Sequence, residues 1–255
     1  ELETNGGQFT GAGFFGKGSN VVDVRRANDR FLSMQSQAAR ALSAMDETRS
    51  GQLQQLQEVF PGGEGGLGSA MGSFLNTMVD LSNSPADGSA RQVVLARASD
   101  VAARFSNAAA RLDVLQAGVK ADLQATAETV NSMAGRIADL NQQIAAVSGY
   151  DQKPNDLLDQ RDNLLSEMSK LVQITTLQAR DGTVGVFIAG GQRLVLGTEA
   201  SKLQVVQDGS DPNRSALVVN TDGQLLPLDS AMLTGGSIAG LVRFQNSDLV
   251  AARNQ

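Results

Sequence analysis

The stretch VLARASDVAARFSNAAARLDVLQAGVKADLQATAETVNSMAGRIADLNQQIAAV, residues 94–147, decides how this chain folds. Apolar or small residues recur in it at Val94, Ala98, Val101, Phe105, Ala108, Leu112, Leu115 and Val119. They resume at Leu123, Thr126, Val130, Met133, Ile137, Leu140, Ile144 and Val147. Alternating steps of four and three put a narrow apolar stripe on one helix face, which needs a partner helix to cover it. Two successive steps of four between Leu115 and Leu123 make a phase slip that locally unwinds a supercoil. No proline interrupts the run. At a rise of about 1.5 Å per residue the rod is about 80 Å long, suited to a bundle that spans or carries load.

Upstream, a second stripe runs through Val24, Ala27, Phe31, Met34, Ala38, Ala41 and Met45, and Leu53, Leu56 and Phe60 continue it after a phase shift. Pro61, Gly62 and Gly63 end that helix. A shorter helix carries Leu67, Met71, Phe74, Leu75, Met78 and Leu81 on one side and stops at Ser82–Pro85. There Ser84 reads as the N-cap of the long rod, with Pro85 at its first position and Asp87 near its positive end. The rod finishes at Ser148–Tyr150. Asn155 or Asp156 caps the next helix, whose sides carry Leu158, Arg161, Leu165, Met168 and Val172, flanked by Leu157, Leu164 and Leu171. The Gly-rich residues 1–20 read as an extended or hairpin lead-in. The G-x-G-x-x-G at Gly11, Gly13 and Gly16 lacks the strand before it and the helix after it that a dinucleotide site needs, so it reads as loop.

The pattern then changes to alternation. Ile174, Thr176, Val184, Val186, Ile188, Leu194 and Leu196 mark strands between Val172 and Leu196, with turns at Asp181-Gly182 and Gly190-Gly191. Leu203–Val206, Ala216–Val219 and Leu225–Leu228 read as further strands, the last pair turned by Asp222-Gly223. Thr234 to Ser237 end the β part, and Ile238, Leu241, Val242 and Leu249 restart a helix. A small β domain thus lies between two helices of one bundle, which requires its ends to lie close together.

Composition narrows the chemistry. With no cysteine and no histidine, disulfides, thiol catalysis, the commonest general base and the commonest metal ligands are excluded. The net charge is −6 without a basic block, which argues against nucleic acid or an anionic membrane as partner. No apolar run approaches the ~20 residues that span a bilayer. Asp159, Arg161 and Asp162 lie within one helical turn, but a neighbouring arginine favours the charged carboxylate, so an ion pair is the reading. The acidic loop Asp208–Asn213 lacks EF-hand spacing and a distal glutamate. No catalytic, cofactor-binding or metal residue is therefore expected, and no cofactor.

Four segments carry a resemblance. They are Val22-Asp23-Val24-Arg25-Arg26-Ala27-Asn28-Asp29-Arg30-Phe31-Leu32; Ser82-Asn83-Ser84-Pro85 followed by Ala90-Arg91-Gln92; Asn155-Asp156-Leu157-Leu158-Asp159-Gln160-Arg161-Asp162-Asn163-Leu164-Leu165; and Gly235-Gly236-Ser237-Ile238-Ala239-Gly240-Leu241. In order and spacing they resemble the hook-associated protein 1 family of bacterial flagella, whose members form the junction between hook and filament. The resemblance implies a helical domain with an inserted β domain and a structural, non-enzymatic role. It implies export through the flagellar channel to an extracellular location and ring assembly beyond the hook. The hook protein, hook-associated protein 3, further copies of the chain and the export machinery are the implied partners. In that family terminal coiled-coil segments drive polymerisation. This chain opens on Glu1 and stops at Gln255 within an expected helix, so it is expected to be an internal fragment without them, monomeric in solution.

The expectation is an α+β fold: an elongated antiparallel helical bundle with long helices and a small β-rich domain inserted between two of them. The parts are a rod domain with its lead-in at 1–172, the β domain at 173–234, and a returning helix at 235–255. The alternatives are another axial flagellar protein, hook-associated protein 3 or flagellin, or a helical sensory-receptor domain.

Overall fold

The computed structural model describes residues 2–4, 8–10, 13–15, 19–21, 30–147 and 154–254. Several expectations, Val24 and Ala27 in the second stripe and the rod's end at Ser148–Tyr150, lie outside the described residues. The lead-in is extended, as its composition suggests: β1 (Leu2–Thr4) pairs with β4 (Ser19–Val21), and β2 (Gln8–Thr10) with β3 (Gly13–Phe15), all antiparallel.

Three long or medium helices follow: α1 (Arg30–Val59), α2 (Leu67–Asn83) and α3 (Gly88–Val147). The 60 residues of α3 make a rod of about 90 Å. Helix α4 (Asn155–Leu171) packs against both α1 and α3. Seven strands come next. β5 (Ile174–Gln178), β6 (Val184–Ile188), β7 (Gln192–Leu196) and the short β8 (Glu199–Ala200) form one antiparallel sheet in chain order. β9 (Lys202–Gln207), β10 (Ser215–Thr221) and β11 (Gln224–Pro227) form a second, with β10 central. The chain returns through α5 (Ser237–Arg243), a π-helical turn at Phe244–Asp248, and α6 (Leu249–Arg253). This is the expected α+β class, helices with a sheet unit inserted between α4 and α5. The β10–β11 turn follows its residue types: Asp222 (φ 53°) and Gly223 (φ 87°) both take the positive φ of a type I′ hairpin.

The core follows the expected stripe of α3 only in part. Leu112, Leu115, Val119, Leu123, Val130, Ile137, Leu140 and Ile144 are buried as expected, and Ala127, Ala134 and Asn141 join the seam in place of Thr126 and Met133. Thr126 and Met133 are half-buried beside it. Three successive steps of four, from Leu115 to Ala127, let a nearly straight helix keep one face inward, since its natural period exceeds the heptad's. At the other end Val94 and Ala108 are buried and Ala98 and Val101 half-buried, but Phe105 is 49% exposed. There α3 runs beyond the end of α1 and packs against α2, and a two-helix pair leaves its outer sides open. The stripe on α1 divides likewise. Ala41 and Met45 are buried, whereas Phe31 and Met34 are 67% and 52% exposed and Ala38 is exposed. Among the described residues the returning chain meets α1 from Ala41 onward, where the Ala41 carbonyl accepts from Gly236 N–H at 2.7 Å, and Ala41 and Met45 are buried along that contact. Phe60 is exposed, and Val59 and Gln52 are buried instead.

Two caps differ from expectation. Asp87, not Ser84, caps α3: its Oδ1 accepts from Ser89 N–H at 2.8 Å and its carbonyl from Arg91 N–H. Ser84 instead closes α2, its N–H donating to Asp80 O at 3.2 Å. Pro154, not Asn155 or Asp156, occupies the cap position of α4, its carbonyl receiving Leu157 and Leu158 N–H.

Candidate functional site

The residues with the clearest chemical potential in the sequence lie as follows. Of the G-x-G-x-x-G glycines, Gly11 and Gly16 lie outside the described residues and Gly13 sits in β3. In the acidic loop, Asp208 Oδ1 accepts from the backbone and hydroxyl of Ser210 at 2.8 and 2.6 Å. Those two donors, with Arg214 nearby, hold the Asp208 carboxyl below its ordinary range. Asp211 caps Asn213 N–H and pairs with Arg214 at 3.2 Å. Among the described residues no group of three acids could hold a metal ion, and no helix is long and apolar enough to cross a membrane.

What the structure does concentrate is polar contact between the helices and the sheets. In α4, Asp159 is exposed and Asp162 half-buried, while Arg161 is 3% exposed. Arg161 Nη1 donates to the Gly182 carbonyl at 2.7 Å and to Asn141 Oδ1 at 3.1 Å. Asn141, fully buried in α3, receives Val184 N–H on the same oxygen at 3.0 Å. Its amide donates to the carbonyls of Val184 (2.9 Å) and Gly197 (2.7 Å). Ten residues earlier on α3, Asn131 does the same to Leu203: Oδ1 accepts from its N–H at 2.7 Å and Nδ2 donates to its carbonyl at 2.8 Å. In the returning helix Gln245, 1% exposed, pairs with both backbone groups of Ser215 at 2.9 and 3.0 Å. Each buried backbone group left without such a partner costs about 1–3 kcal/mol.

The glycine segment 235–241 brings the returning helix against α1. Gly236 has φ 85°, and a Cβ there would meet the Leu171 carbonyl group and Val172 N at 2.5 Å. A Cβ at Gly240 would meet Met45 O at 2.5 Å. The α1–α5 contact is thus backbone to backbone, which only glycine permits. One turn further, Arg49 grips Asp248 through two bonds at 2.8 and 2.9 Å. Hydrogen bonding to that carboxylate raises the Arg49 pKa. Arg253 reaches Asp113 at 2.7 Å and Gln116 at 2.9 Å on α3. In the second segment, Arg91 donates twice to the Pro85 carbonyl, at 2.7 and 3.2 Å, and pins the turn joining α2 to α3.

Among the described residues, exposed apolar side chains gather in two places. One is the start of α1, with Phe31, Leu32 and Met34. The other is the α2–α3 prong, with Leu75, Met78 and Val79 on α2 and Val93, Leu95 and Phe105 on α3, each 45–67% exposed. Periodicity marks several of these residues as apolar positions but does not say what covers them. The roles of Asn131, Asn141 and Gln245 were not read from the sequence. The available signal was Asn141, a polar residue one position from Leu140 in the expected stripe.

Comparison with known proteins gives a consistent picture. A family model for the flagellar hook-associated protein FlgK helical domain matches residues 53–255. Flagellar hook-associated protein 1 of Salmonella typhimurium is 30% identical over 245 residues, covering 95% of this chain and 44% of that protein. Its counterpart in Bacillus subtilis is 32% identical over 223 residues, 84% of this chain and 43% of that protein. A solved structure of the flagellar hook junction protein FlgK from Burkholderia pseudomallei matches with a TM-score of 0.77 at 31% identity, covering 83% of this chain and 38% of that one. The chain spans less than half the length of these relatives.

Proposed function

We propose, from the premise that the chain belongs to the FlgK family of flagellar hook-associated proteins, that it is a structural part of the junction between hook and filament and performs no catalysis. The observation that carries this reading is the family match over residues 53–255, which takes in the prong, the rod, the sheet unit and the return. The protein passes through the flagellar export channel and works outside the cell, in a ring beyond the hook. Its partners are the hook protein, hook-associated protein 3 and copies of itself, not nucleic acid or membrane. The exposed apolar side chains of the α2–α3 prong fit such neighbours, because many modest contacts around a ring add up through multivalency. The working division is a rod domain at 1–172, a β domain at 173–234 and a returning helix at 235–255, with the isolated chain monomeric.

Deleting the gene tests this. Hooks should persist without attached filaments, and the full-length gene supplied in trans should restore them. Normal filaments in the deletion strain overturn the proposal.

A further inference from the structure

We infer that the sheet unit is a fixed arm of the rod, with no hinge between them, and that Asn131, Asn141 and Gln245 are the positioning residues that set its angle. The three amides share one geometry. Each accepts from the N–H and donates to the C=O of a single strand residue: Leu203, Val184 and Ser215 respectively. A side-chain amide that bonds both groups of one residue takes the place of a neighbouring strand.

The placement of each supports this. β9 is the edge of its sheet, and Leu203 is where Asn131 satisfies that edge. On β10 the pairing with β11 begins at Val218, so Ser215 lies past its end, and Gln245 supplies the missing partner. The β6–β7 ladder starts at Val186–Val195. Asn141 bridges Val184 and the Gly197 carbonyl just outside it, and Arg161 ties the same oxygen to the β5–β6 turn. Unsatisfied sheet edges are costly when buried. Here they are closed by side chains on α3 and on the returning helix, so neither sheet can turn away from the rod without opening its own edge. Two contacts about fifteen ångströms apart along α3, plus a third from a different helix, define an angle, which one contact would not. The inference concerns the chain by itself and stands or falls separately from its place in the flagellum.

The absence of cysteine makes the test direct. Nitroxide labels at Glu128→Cys on α3 and Gln224→Cys on β11, both exposed, report the arm. Labels at Lys120→Cys and Gln142→Cys report α3 alone. Pulsed electron spin resonance on the purified chain should give an arm distribution as narrow as that of the α3 pair. In the Asn131→Leu/Asn141→Leu background it should broaden at least about twofold while the α3 pair stays narrow. A broad arm distribution in the parent, or an unchanged narrow one in the double variant, overturns the inference. If the double variant does not fold, native-state hydrogen exchange on the parent decides. The amides of Val184, Leu203 and Ser215 should exchange with the slow class of Val130 and Ile137. Exchange about tenfold or more faster, with α3 still protected, refutes the fixed arm.

Discussion

Replacing Gly240 by alanine places a methyl group 2.5 Å from the carbonyl oxygen of Met45, with Thr48 Cβ at 3.1 Å and Arg49 N at 3.3 Å. Carbon and carbonyl oxygen come no nearer than about 3.3 Å even in close C–H contacts. Helices α1 and α5 must therefore separate by roughly 0.8 Å at this point. The obstacle is main chain, so no rotamer change relieves it. Separation loosens Met45, Ile238 and Leu241, which are all buried along the same contact. Overpacking of this kind costs about 1–3 kcal/mol, here at the upper end. Alanine returns about 0.8–1 kcal/mol through helix propensity, which leaves a net loss of about 2 kcal/mol. For a chain of this size that lowers Tm by about 4–8 °C. The paired control is Gly135→Ala in α3, where nothing lies within 4 Å of the added Cβ. That change should stabilise the chain by about 0.5–1 kcal/mol. Thermal and urea unfolding followed by far-UV circular dichroism measure both. A Gly240→Ala chain as stable as the parent, alongside a stabilised Gly135→Ala chain, would refute the close helix–helix contact.

Asp87→Ala removes the acceptor for Ser89 N–H and should cost about 1 kcal/mol, read as faster hydrogen exchange in the first turn of α3. An unchanged first turn points to another cap. The Asp181 carboxyl is held below its ordinary 3.8 by the hydroxyl and N–H of Thr183, and Asp208 likewise by Ser210. From 3.8 down to their lower folded values the unfolded chain binds more protons, so stability is present above that window and is lost as pH falls through it. An Asp181→Asn/Asp208→Asn chain should show a shallower decline of its urea midpoint there, and an identical decline counts against those hydrogen bonds. Leu95→Ser/Phe105→Ser changes side chains that are 67% and 49% exposed. Stability should stay within about 0.5 kcal/mol of the parent, while the full-length protein carrying both changes loses filament attachment in a motility assay. Full motility shows that the prong face is not a contact surface.

Much of this fold is visible in local pattern. The heptads around Leu112–Leu123 and the alternation at Val184–Ile188 are periodic signals, and period is what a sequence states directly. The Asp222-Gly223 turn is legible because positive φ restricts residue choice. The caps are harder. Ser84 and Asp87 are both good cap residues three positions apart, and the choice falls to Asp87 because its carbonyl takes the first helical bond, from Arg91 N–H, while Ser84's carbonyl accepts Asp87 N–H in the turn before the helix. Phe105 was legible as a stripe position but not as an exposed one, because periodicity says that a helix wants a neighbour and not where the neighbour ends.

The amides and the π turn were illegible for a deeper reason. A buried Asn141 or Gln245 contradicts the local apolar pattern, and its partner is a strand end that is remote in sequence. At the return, Phe244, Gln245 and Leu249 are all buried. On a regular helix Gln245 and Leu249 would stack one above the other on a single face. The wider i→i+5 turn between them lets Gln245 reach Ser215 while Leu249 stays in the helical core. It also places Asp248 on the side facing Arg49. One irregular turn thus serves the sheet, the bundle and the ion pair together. A reading that assigns each residue to a single periodic face has no means of anticipating it. That failure falls where the helical and β parts meet, the place where neither period alone governs.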